Sequence, residues 1–317
     1  MTEAQARRQI LDLIQGYRLT QALYCAAELK LADLLFENAK TPVQLASECQ
    51  ALVGPLSRLL RTLASLGVFQ QLPSGAYANT PLSLCLRASD PDSQWACAIL
   101  AGTERYKAFD KLLDCLRTGK TGFELAYGMP LFEFLKERPA SARIFDQAMT
   151  GLHGAETAEM LEVFDFSVFQ TLADIGGGNA SLLLQALRKH PGLQGILFDL
   201  PHVAENAAKE IAAAGFTTRL AIHPGDFFKE IPLKADAYLM RHILHDWTDE
   251  ECLKILRNLR RGFSPGAKLV VEYVIEEGNA PHPGKLLDLG MLVATGGRER
   301  TAEEFRSLFT SAGFHLE

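Results

Sequence analysis

The pattern of apolar residues changes along the chain. Over roughly the first 40 residues, leucine and alanine recur at helical spacing, and Pro42 ends this pattern. Residues 92–165 are again helical in pattern and are rich in Phe, Leu and Met. From about residue 168 onward, short apolar runs alternate with helical stretches. This change predicts a mostly helical first half followed by an α/β second half.

Residues 41–90 show the pattern of two short helices followed by a hairpin. Thr41-Pro42 suits the start of the first helix, because proline is tolerated in a first turn. Gly54-Pro55 is predicted to separate it from a second helix, which Gly67 ends. A Pro-Ser-Gly turn at 73–75 then joins two short strands. This order is the outline of a winged helix.

A winged helix suggests DNA binding, but the charge pattern argues against it. Residues 41–90 carry three basic side chains, at positions 58, 61 and 87, and two acidic ones, at positions 48 and 90. A surface that contacts phosphates needs a clear basic stripe. We therefore expect this segment to serve packing or dimerisation, and we expect no nucleic-acid partner.

The second half contains five apolar runs that predict strands, with helical stretches near 180–190, 202–214, 249–262 and 301–312. Strands that alternate with helices form a parallel sheet covered on both faces. Ligands of such sheets bind beyond the carboxyl ends of the strands. The predicted strands are 171–175, 195–200, 219–223, 235–240 and 268–274.

The first predicted strand runs into three consecutive glycines. The segment LADIGGGNAS places Asp174 before the turn and Gly176 and Gly178 within it. Glycines let a backbone turn tightly and approach a ligand before a helix begins. A dinucleotide fingerprint needs a third glycine where this chain has Ser181. The turn alone is compatible with a nicotinamide cofactor, with S-adenosylmethionine, or with an ordinary strand-to-helix connection.

Acidic residues follow the next two predicted strands as well. Asp199, in the segment LFDLP, lies where a carboxylate can accept both ribose hydroxyls of an adenosine. Asp226, in HPGDFF, offers an acceptor for an adenine amino group, and the neighbouring Phe227 offers a ring to flank its plane. Each aspartate alone could be a solvated loop acid. Together they predict a binding site for an adenosine-containing cofactor.

A histidine follows the fourth predicted strand, in the segment RHILHDWTDEECLKIL. His245 therefore lies on the side of the sheet where a ligand binds. Two acids are expected within its reach: Glu272 at the end of the strand LVVEYV, and Glu299 in the glycine-rich segment GGRERT. A carboxylate bound to one imidazole nitrogen fixes the tautomer and raises basicity, so that the other nitrogen can take a substrate proton.

Composition narrows the class of protein. The 317 residues are 48% hydrophobic with a net charge of −6, which favours a globular protein and gives no general attraction to nucleic acid or anionic membranes. The amino terminus has no signal-peptide pattern, and no run of about 18 apolar residues predicts a membrane span. Six scattered cysteines suggest buried thiols in a reducing compartment. We expect a cytoplasmic protein without a membrane partner.

The motifs DIGGG, FDLPHV, GDFF, RHILHDWTDEECLKIL, VVEYV and GGRERTAEEF resemble those of a known family. It is the class of S-adenosylmethionine-dependent O-methyltransferases that includes caffeate, hydroxyindole and phenazine methyltransferases. The resemblance covers almost the whole chain. It implies a Rossmann-like methyltransferase domain preceded by a winged-helix dimerisation domain, with S-adenosylmethionine as cofactor, a homodimer as the assembly, and a small aromatic hydroxyl compound as substrate.

The resemblance also implies roles for individual residues. His245 matches the general base, and Glu272 and Glu299 match the two acids that hold it. The implied cofactor contacts are Asp174, Gly176, Gly178, Asp199, Leu200, Asp226, Phe227 and Arg241, of which Arg241 replaces a lysine of the plant enzymes. The implied substrate contacts are Phe109, Phe145, Met149, Asp246 and Met291, and the apolar ones among them could equally be ordinary core residues. The family chemistry implies no metal.

Two departures from the family pattern are visible. Ala180 stands where the plant enzymes have the last glycine of GGGxG, a change that the start of a helix should tolerate. The family pattern also continues beyond AGFHLE and supplies the last antiparallel strands, so we expect these to be missing. The expected division is a dimerisation domain at 1–100, a helical connector at 101–165 that contributes to the substrate pocket, and a methyltransferase domain at 166–317.

The predicted reaction is transfer of a methyl group from S-adenosylmethionine to an aromatic hydroxyl, with His245 removing the proton. Two enzyme classes remain as alternatives. A relative that binds the same cofactor could catalyse other chemistry, such as hydroxylation. A nicotinamide oxidoreductase would use the same glycine turn, but it would explain neither Asp226-Phe227 nor the HDW motif.

Overall fold

The structure is a computed structural model that describes residues 1–90, 93–271 and 274–316. The chain forms two compact units: Met1–Lys107 with Leu135–Gly154, and Ala108–Phe134 with Ala155–Glu317. The predicted connector is thus divided, since 101–107 and 135–154 group with the first unit and the rest with the second. The functional division made from the sequence stays a prediction.

Helices dominate the amino-terminal half, and one hairpin interrupts them. The elements are α1 Glu3–Ile14, α2 Gly16–Glu28, α3 Leu31–Leu34, α4 Pro42–Glu48, α5 Val53–Ser65, β1 Phe69–Gln71, β2 Tyr77–Asn79, α6 Pro81–Leu84, α7 Trp95–Gly102, α8 Glu104–Phe109, α9 Leu112–Thr118, α10 Gly122–Tyr127, α11 Leu131–Glu137 and α12 Pro139–Val163.

Strands and helices alternate in the carboxy-terminal half. The elements are β3 Thr171–Ile175, α13 Ser181–Lys189, β4 Gln194–Asp199, α14 Pro201–Ala213, β5 Leu220–Pro224, β6 Ala237–Met240, α15 Asp249–Gly262, β7 Lys268–Val271, α16 Pro283–Ala294 and α17 Ala302–Ser311. Short 3₁₀ turns lie at Phe166–Val168 and Leu244–Asp246.

The helix–helix–hairpin pattern of the first unit is present. Thr41 caps α4: its side chain accepts from the N–H of Gln44, and its own N–H donates to the side-chain oxygen of Gln44. The predicted break at Gly54-Pro55 was wrong, because α5 begins at Val53 and contains both residues. Proline fits a first helical turn because N–H groups there have no helical partner. The hairpin pairs β1 and β2 antiparallel, as predicted.

The first unit leaves one helix unburied. Its core is built from leucines of α3, α4 and α5 packed against Phe69 of the hairpin. Every residue of α1 is instead at least partly exposed, including Ile10, Leu13 and Ile14 at 54%, 70% and 60%. An apolar helix face of this kind is a feature of interaction surfaces.

The second unit is a five-stranded parallel sheet in the order β5-β4-β3-β6-β7. Alternate residues of β3 enter two cores: Ala173 and Ile175 pack with α15 and α17, whereas Leu172 packs with α13 and α14. Helices therefore cover both faces, which confirms the predicted α/β fold. The predicted strand at 268–274 ends at Val271, and residues 272 and 273 lie outside the described residues.

The strand order creates a crevice at one edge of this sheet. The chain leaves β3 towards β4 on one side and later returns to β6 on the other. Loops that depart in opposite directions from neighbouring strands leave an opening at their carboxyl ends. Beside this opening, at the carboxyl ends of β3, β4 and β6, lie Asp174, Asp199 and Arg241.

Two predictions from composition can be compared with the structure. Among the described residues, none of the helices combines the length and the apolar character needed to cross a bilayer. The six cysteines are free thiols. Cys115 and Cys252 are buried as predicted, but Cys85 is exposed, so the prediction of burial was wrong for that residue.

Candidate active site

The glycine turn after β3 brings the backbone close to its neighbours. Gly176 has a φ of +76°, a conformation that favours glycine, and its N–H donates to the carbonyl of Phe198 at 2.7 Å. A Cβ on Gly176 would lie 2.4 Å from Cδ1 of Ile243. A Cβ on Gly177 would lie 2.6 Å from Oδ2 of Asp174. Side chains would collide at both positions, so the glycines are needed for this close approach.

The end of the turn is strained at the alanine that departs from the family pattern. Ala180 is the N-cap of α13 and has a φ of +64° in the left-handed region. This conformation costs roughly 1–2 kcal/mol for an L-residue other than glycine. The alanine is accommodated, as expected, but in a backbone conformation that suits glycine better. The sequence did not reveal this strain.

Asp174 and Asp199 are carboxylates at adjacent strand ends, and both are withdrawn from water. Burial and, to a smaller extent, the charge of Asp199 raise the pKa of Asp174 to about 7, although the nearby Arg241 acts in the opposite direction. Burial also raises the pKa of Asp199, while hydrogen bonds from the backbone lower it. These donors are the N–H of Gly178 to Oδ2 at 2.9 Å and the N–H of Leu200 to Oδ1 at 2.7 Å. The backbone thus orients Asp199 while each oxygen can accept a second hydrogen bond.

Asp226 and Phe227 follow β5 at the same edge of the sheet. The Asp226 carboxylate accepts from the N–H of Phe228 at 2.9 Å and is partly exposed. The Phe227 ring packs edge-on against Phe228 and Trp247. Its Cε1 would lie 3.7 Å from a Cβ on Gly176. The structure therefore brings Phe227 beside the glycine turn.

Arg241, directly after β6, forms an ion pair that sequence reasoning missed. Its Nη2 lies 3.0 Å from Oε2 of Glu156, and Nη1 donates to the hydroxyl of Thr157. The arginine side chain is 9% exposed, and it lies close enough to Asp174 to lower the pKa of that carboxyl. Glu156 and Thr157 come from α12, about 85 residues earlier. The helical pattern of α12 contained no signal for this contact.

His245 and Glu299 form a buried pair. His245 Nδ1 lies 2.6 Å from Glu299 Oε1, and the two residues are 6% and 3% exposed. The other ring nitrogen of His245, Nε2, lies 3.9 Å from Oδ1 of Asp246. Of the two acids predicted to hold the histidine, Glu299 is therefore in contact, while Glu272 lies outside the described residues. A buried carboxylate on one imidazole nitrogen orients the ring and leaves the other nitrogen to exchange a proton.

Two further residues explain how Glu299 reaches the histidine. A Cβ on Gly297 would lie 1.9 Å from the carbonyl oxygen of His245, so this segment and the histidine turn touch backbone to backbone. Asp288 on α16 accepts the N–H of Glu299 at 2.8 Å. Sequence reasoning missed both. The paired glycines of GGRERT were visible in the sequence but did not indicate what they contact.

The predicted substrate residues divide between the two units. In the second unit, Met291 is buried on α16 and Phe109 is 37% exposed. In the first unit, Phe145 and Met149 pack around buried Ala148. Their roles in binding substrate stay predictions.

Comparison with known proteins identifies the family. The O-methyltransferase domain model matches residues 109–315, and the O-methyltransferase dimerisation domain model matches residues 11–89. The chain belongs to the O-methyltransferase family. Members of this family transfer a methyl group from S-adenosylmethionine, and the dimerisation domain supports a homodimer.

Individual family members are similar over nearly their full length. The phenazine O-methyltransferase PhzM of Lysobacter antibioticus is 43% identical over 309 residues, which is 97% of this chain and 91% of that protein. The crystal structure of LaPhzM matches with a TM-score of 0.95 at 42% identity, covering 98% of this chain and 94% of that one. Human N-acetylserotonin methyltransferase in complex with S-adenosylmethionine matches with a TM-score of 0.90 at 30% identity, covering 99% and 94%.

The family cofactor fits the residues at the sheet edge. Asp174 is buried and Asp199 is half-buried at this edge, and carboxylates withdrawn from water in this way need hydroxyl or cationic partners. The glycine turn lets backbone N–H groups approach a bound molecule. The chain is therefore an S-adenosylmethionine-dependent O-methyltransferase whose relatives act on small aromatic metabolites.

Proposed function

We propose that this enzyme methylates a hydroxyl group on a small aromatic substrate, with His245 as the general base. The observation that supports this proposal is the 2.6 Å contact between His245 Nδ1 and Glu299 Oε1 inside a buried site. An ionised carboxylate only accepts hydrogen bonds, so the shared proton lies on Nδ1. In this proposal Nε2 is the atom that takes the proton of a substrate hydroxyl.

Two carboxylates lie beside His245. Taking up a proton gives the imidazole a positive charge, which the Glu299 carboxylate and the nearby Asp246 carboxylate stabilise. Burial strengthens both interactions, because charges attract more strongly where water is excluded. Proton removal of this kind contributes about 10²–10⁴-fold to a rate. We keep Glu272 as the second acid on the basis of the family resemblance.

The cofactor-binding residues orient the reaction. When bound, S-adenosylmethionine supplies an electrophilic methyl group on a positively charged sulfur. We propose that Asp199 accepts hydrogen bonds from its ribose, that Asp226 and Phe227 contact its adenine, and that the turn at Gly176 and Gly178 contacts its amino-acid end. Leu200, Asp174 and Arg241 complete this set. Holding two reactants in register removes much of the entropic part of a barrier.

The substrate is proposed to be a planar phenol or a related aromatic hydroxyl compound. We keep Phe109, Phe145, Met149 and Met291 as apolar substrate contacts on the basis of the family resemblance, and Asp246 as the polar group beside the base. Phenazine and acetylserotonin methyltransferases among the relatives act on compounds of this general kind. A hydroxyphenazine and N-acetylserotonin are therefore suitable first probes. We also keep the cytoplasmic location as a prediction.

Calorimetry and mass spectrometry test the cofactor and the reaction separately. S-adenosylhomocysteine should bind the purified protein with micromolar affinity, whereas NADH titrated in parallel should give no heat. Incubation with S-adenosylmethionine and hydroxyphenazine should give a product heavier by one CH₂ group. A product heavier by one oxygen atom would favour the hydroxylation alternative, and tight binding of NADH would contradict the choice of cofactor.

A further inference from the structure

The motif GGRERT contains an arginine to which the proposed reaction assigns no role. Arg300 directly follows Glu299 and is fully buried, at 0% exposure. Burying a guanidinium group costs several kcal/mol unless its donors are satisfied. The partners that satisfy Arg300 therefore indicate what the residue does.

Two of these partners flank the histidine in the chain. Arg300 Nη1 donates to the carbonyl of Leu244 at 2.8 Å, and Nη2 donates to the carbonyl of Trp247 at 3.0 Å. We call residues 244–247, which contain His245, the base turn. One planar guanidinium thus spans the base turn and holds its first and last carbonyl groups. A lysine cannot reproduce this fork of donors.

The base turn is weakly held by its own hydrogen bonds. The Asp246 N–H donates to the carbonyl of Ile243 at 3.2 Å, and the Trp247 N–H donates to that of Leu244 at 3.4 Å. Both distances are at or beyond the long end of the usual range. The bond from Arg300 to Leu244 is shorter than either. The position of the turn therefore depends on contacts from outside it.

Arg300 is itself fixed at its other side. Its Nε and Nη2 donate to Asp249 Oδ1 at 3.0 and 2.8 Å, a two-donor contact with the first turn of α15. Its own carbonyl accepts from the N–H of Ile275 at 3.1 Å. Arg300 is thus anchored to two other segments while it holds the base turn.

We propose that Arg300 is a positioning residue for the general base, acting on its backbone while Glu299 acts on its ring. Glu299 and Arg300 thereby fix the position of the imidazole, one through its ring and the other through the backbone that carries it. Arg300 makes no direct contact with the reacting atoms in this proposal, which rests on the proposed role of His245. Displacing a catalytic group by about 1 Å can lower a rate about 10²-fold. Because Arg300 holds the base turn, we expect its replacement to lower turnover and to leave cofactor affinity unchanged.

A double-mutant cycle distinguishes positioning from a general structural role. Arg300→Lys should lower kcat for hydroxyphenazine by about 10–100-fold. The affinity for S-adenosylhomocysteine should stay within about two-fold of the wild-type value, a change of under about 0.5 kcal/mol in binding free energy. If Arg300 acts through His245, Arg300→Lys should cause no further loss in a His245→Asn background. Equal losses in the two backgrounds would overturn the proposal.

Arg298→Lys is the matched control. Arg298 also binds Asp249, with Nη2 at 2.9 Å from Oδ2, but its side chain is 44% exposed. It should keep nearly full turnover, and a loss equal to that of Arg300→Lys would contradict the proposal. Loss of activity in His245→Asn together with normal activity in Arg300→Lys would contradict this inference alone. Full activity in His245→Asn would contradict the base and its positioning together.

A second measurement is independent of the substrate. In ¹⁵N-histidine spectra of the cofactor complex, the His245 signal, assigned by its absence in His245→Asn, should show the proton on Nδ1. Arg300→Lys should move this signal towards a mixture of the two tautomers, whereas Arg298→Lys should leave it in place. An unchanged His245 signal in Arg300→Lys would overturn the proposal.

Discussion

Replacing Asp174 by asparagine should make the enzyme more stable at neutral and alkaline pH while weakening its cofactor site. Burial raises the pKa of this carboxyl from an ordinary 3.8 to about 7. The difference of roughly three pH units corresponds to about 4 kcal/mol between the protonated and the ionised forms. Asparagine has nearly the same shape and carries no charge, so it removes this cost.

The direction in which the free energy of unfolding changes with pH follows from the raised pKa of Asp174. Because the pKa of Asp174 is higher in the folded state than in the unfolded state, folding is favoured where the carboxyl is protonated. Its contribution is complete below about pH 4 and is lost as the pH rises through about 7. The wild type should therefore lose up to about 4 kcal/mol from this group between pH 4 and pH 8, and Asp174→Asn should not.

Urea unfolding of the protein without cofactor at pH 5 and pH 8 measures this effect. The chain has two tryptophans, so a Trp95→Phe background leaves Trp247 to report on the second unit. Asp174→Asn should be distinctly more stable than its parent at pH 8, with a smaller difference at pH 5. Asp12→Asn, on exposed α1, is the matched control. The same stability difference at both pH values would refute the reasoning, and unweakened S-adenosylhomocysteine binding would remove Asp174 from the cofactor site.

Three further predictions concern the base and the dimer. In Gly297→Ala, the new Cβ would lie 1.9 Å from the carbonyl oxygen of His245. The segment around residue 297 must then move aside, so kcat should fall about 10²-fold. A fall of less than about two-fold in a steady-state assay would show that this segment adapts without displacing the base. Glu299→Gln keeps the shape but can present an N–H to Nδ1, so turnover should fall about 10²–10⁴-fold with cofactor binding retained; near-normal turnover would argue against tautomer control. Leu13→Glu on exposed α1 should shift the dimer towards monomer in light scattering, whereas an unchanged mass would place the dimer interface elsewhere.

The strands of the second unit could be predicted from the sequence because the central ones are buried on both faces. Every residue of β6 and four of five in β3 are buried, so these strands read as continuous apolar runs. The acids and the histidine that follow such runs must meet at one edge of the sheet. The site residues at strand ends could therefore be proposed from order alone.

Features that depend on contacts between distant segments could not be predicted. Glu299 and Arg300 meet residues more than 50 positions earlier in the chain, and Arg241 meets Glu156 across 85 positions. A buried arginine and an exposed one look alike in sequence. The start of α5 before Gly54-Pro55 shows the same limit locally, since Gly and Pro are compatible with either a loop or a first turn.

The central claim is that His245 removes the substrate proton, and the initial rate of labelled methyl transfer to hydroxyphenazine tests it most directly. The rate should be compared between His245→Asn and His315→Asn, the same change at an exposed histidine, with S-adenosylmethionine saturating. We expect a loss of about 10²–10⁴-fold for His245→Asn, unchanged S-adenosylhomocysteine affinity, and a normal rate for His315→Asn. Equal rates for the two variants would contradict the role of His245 as the base.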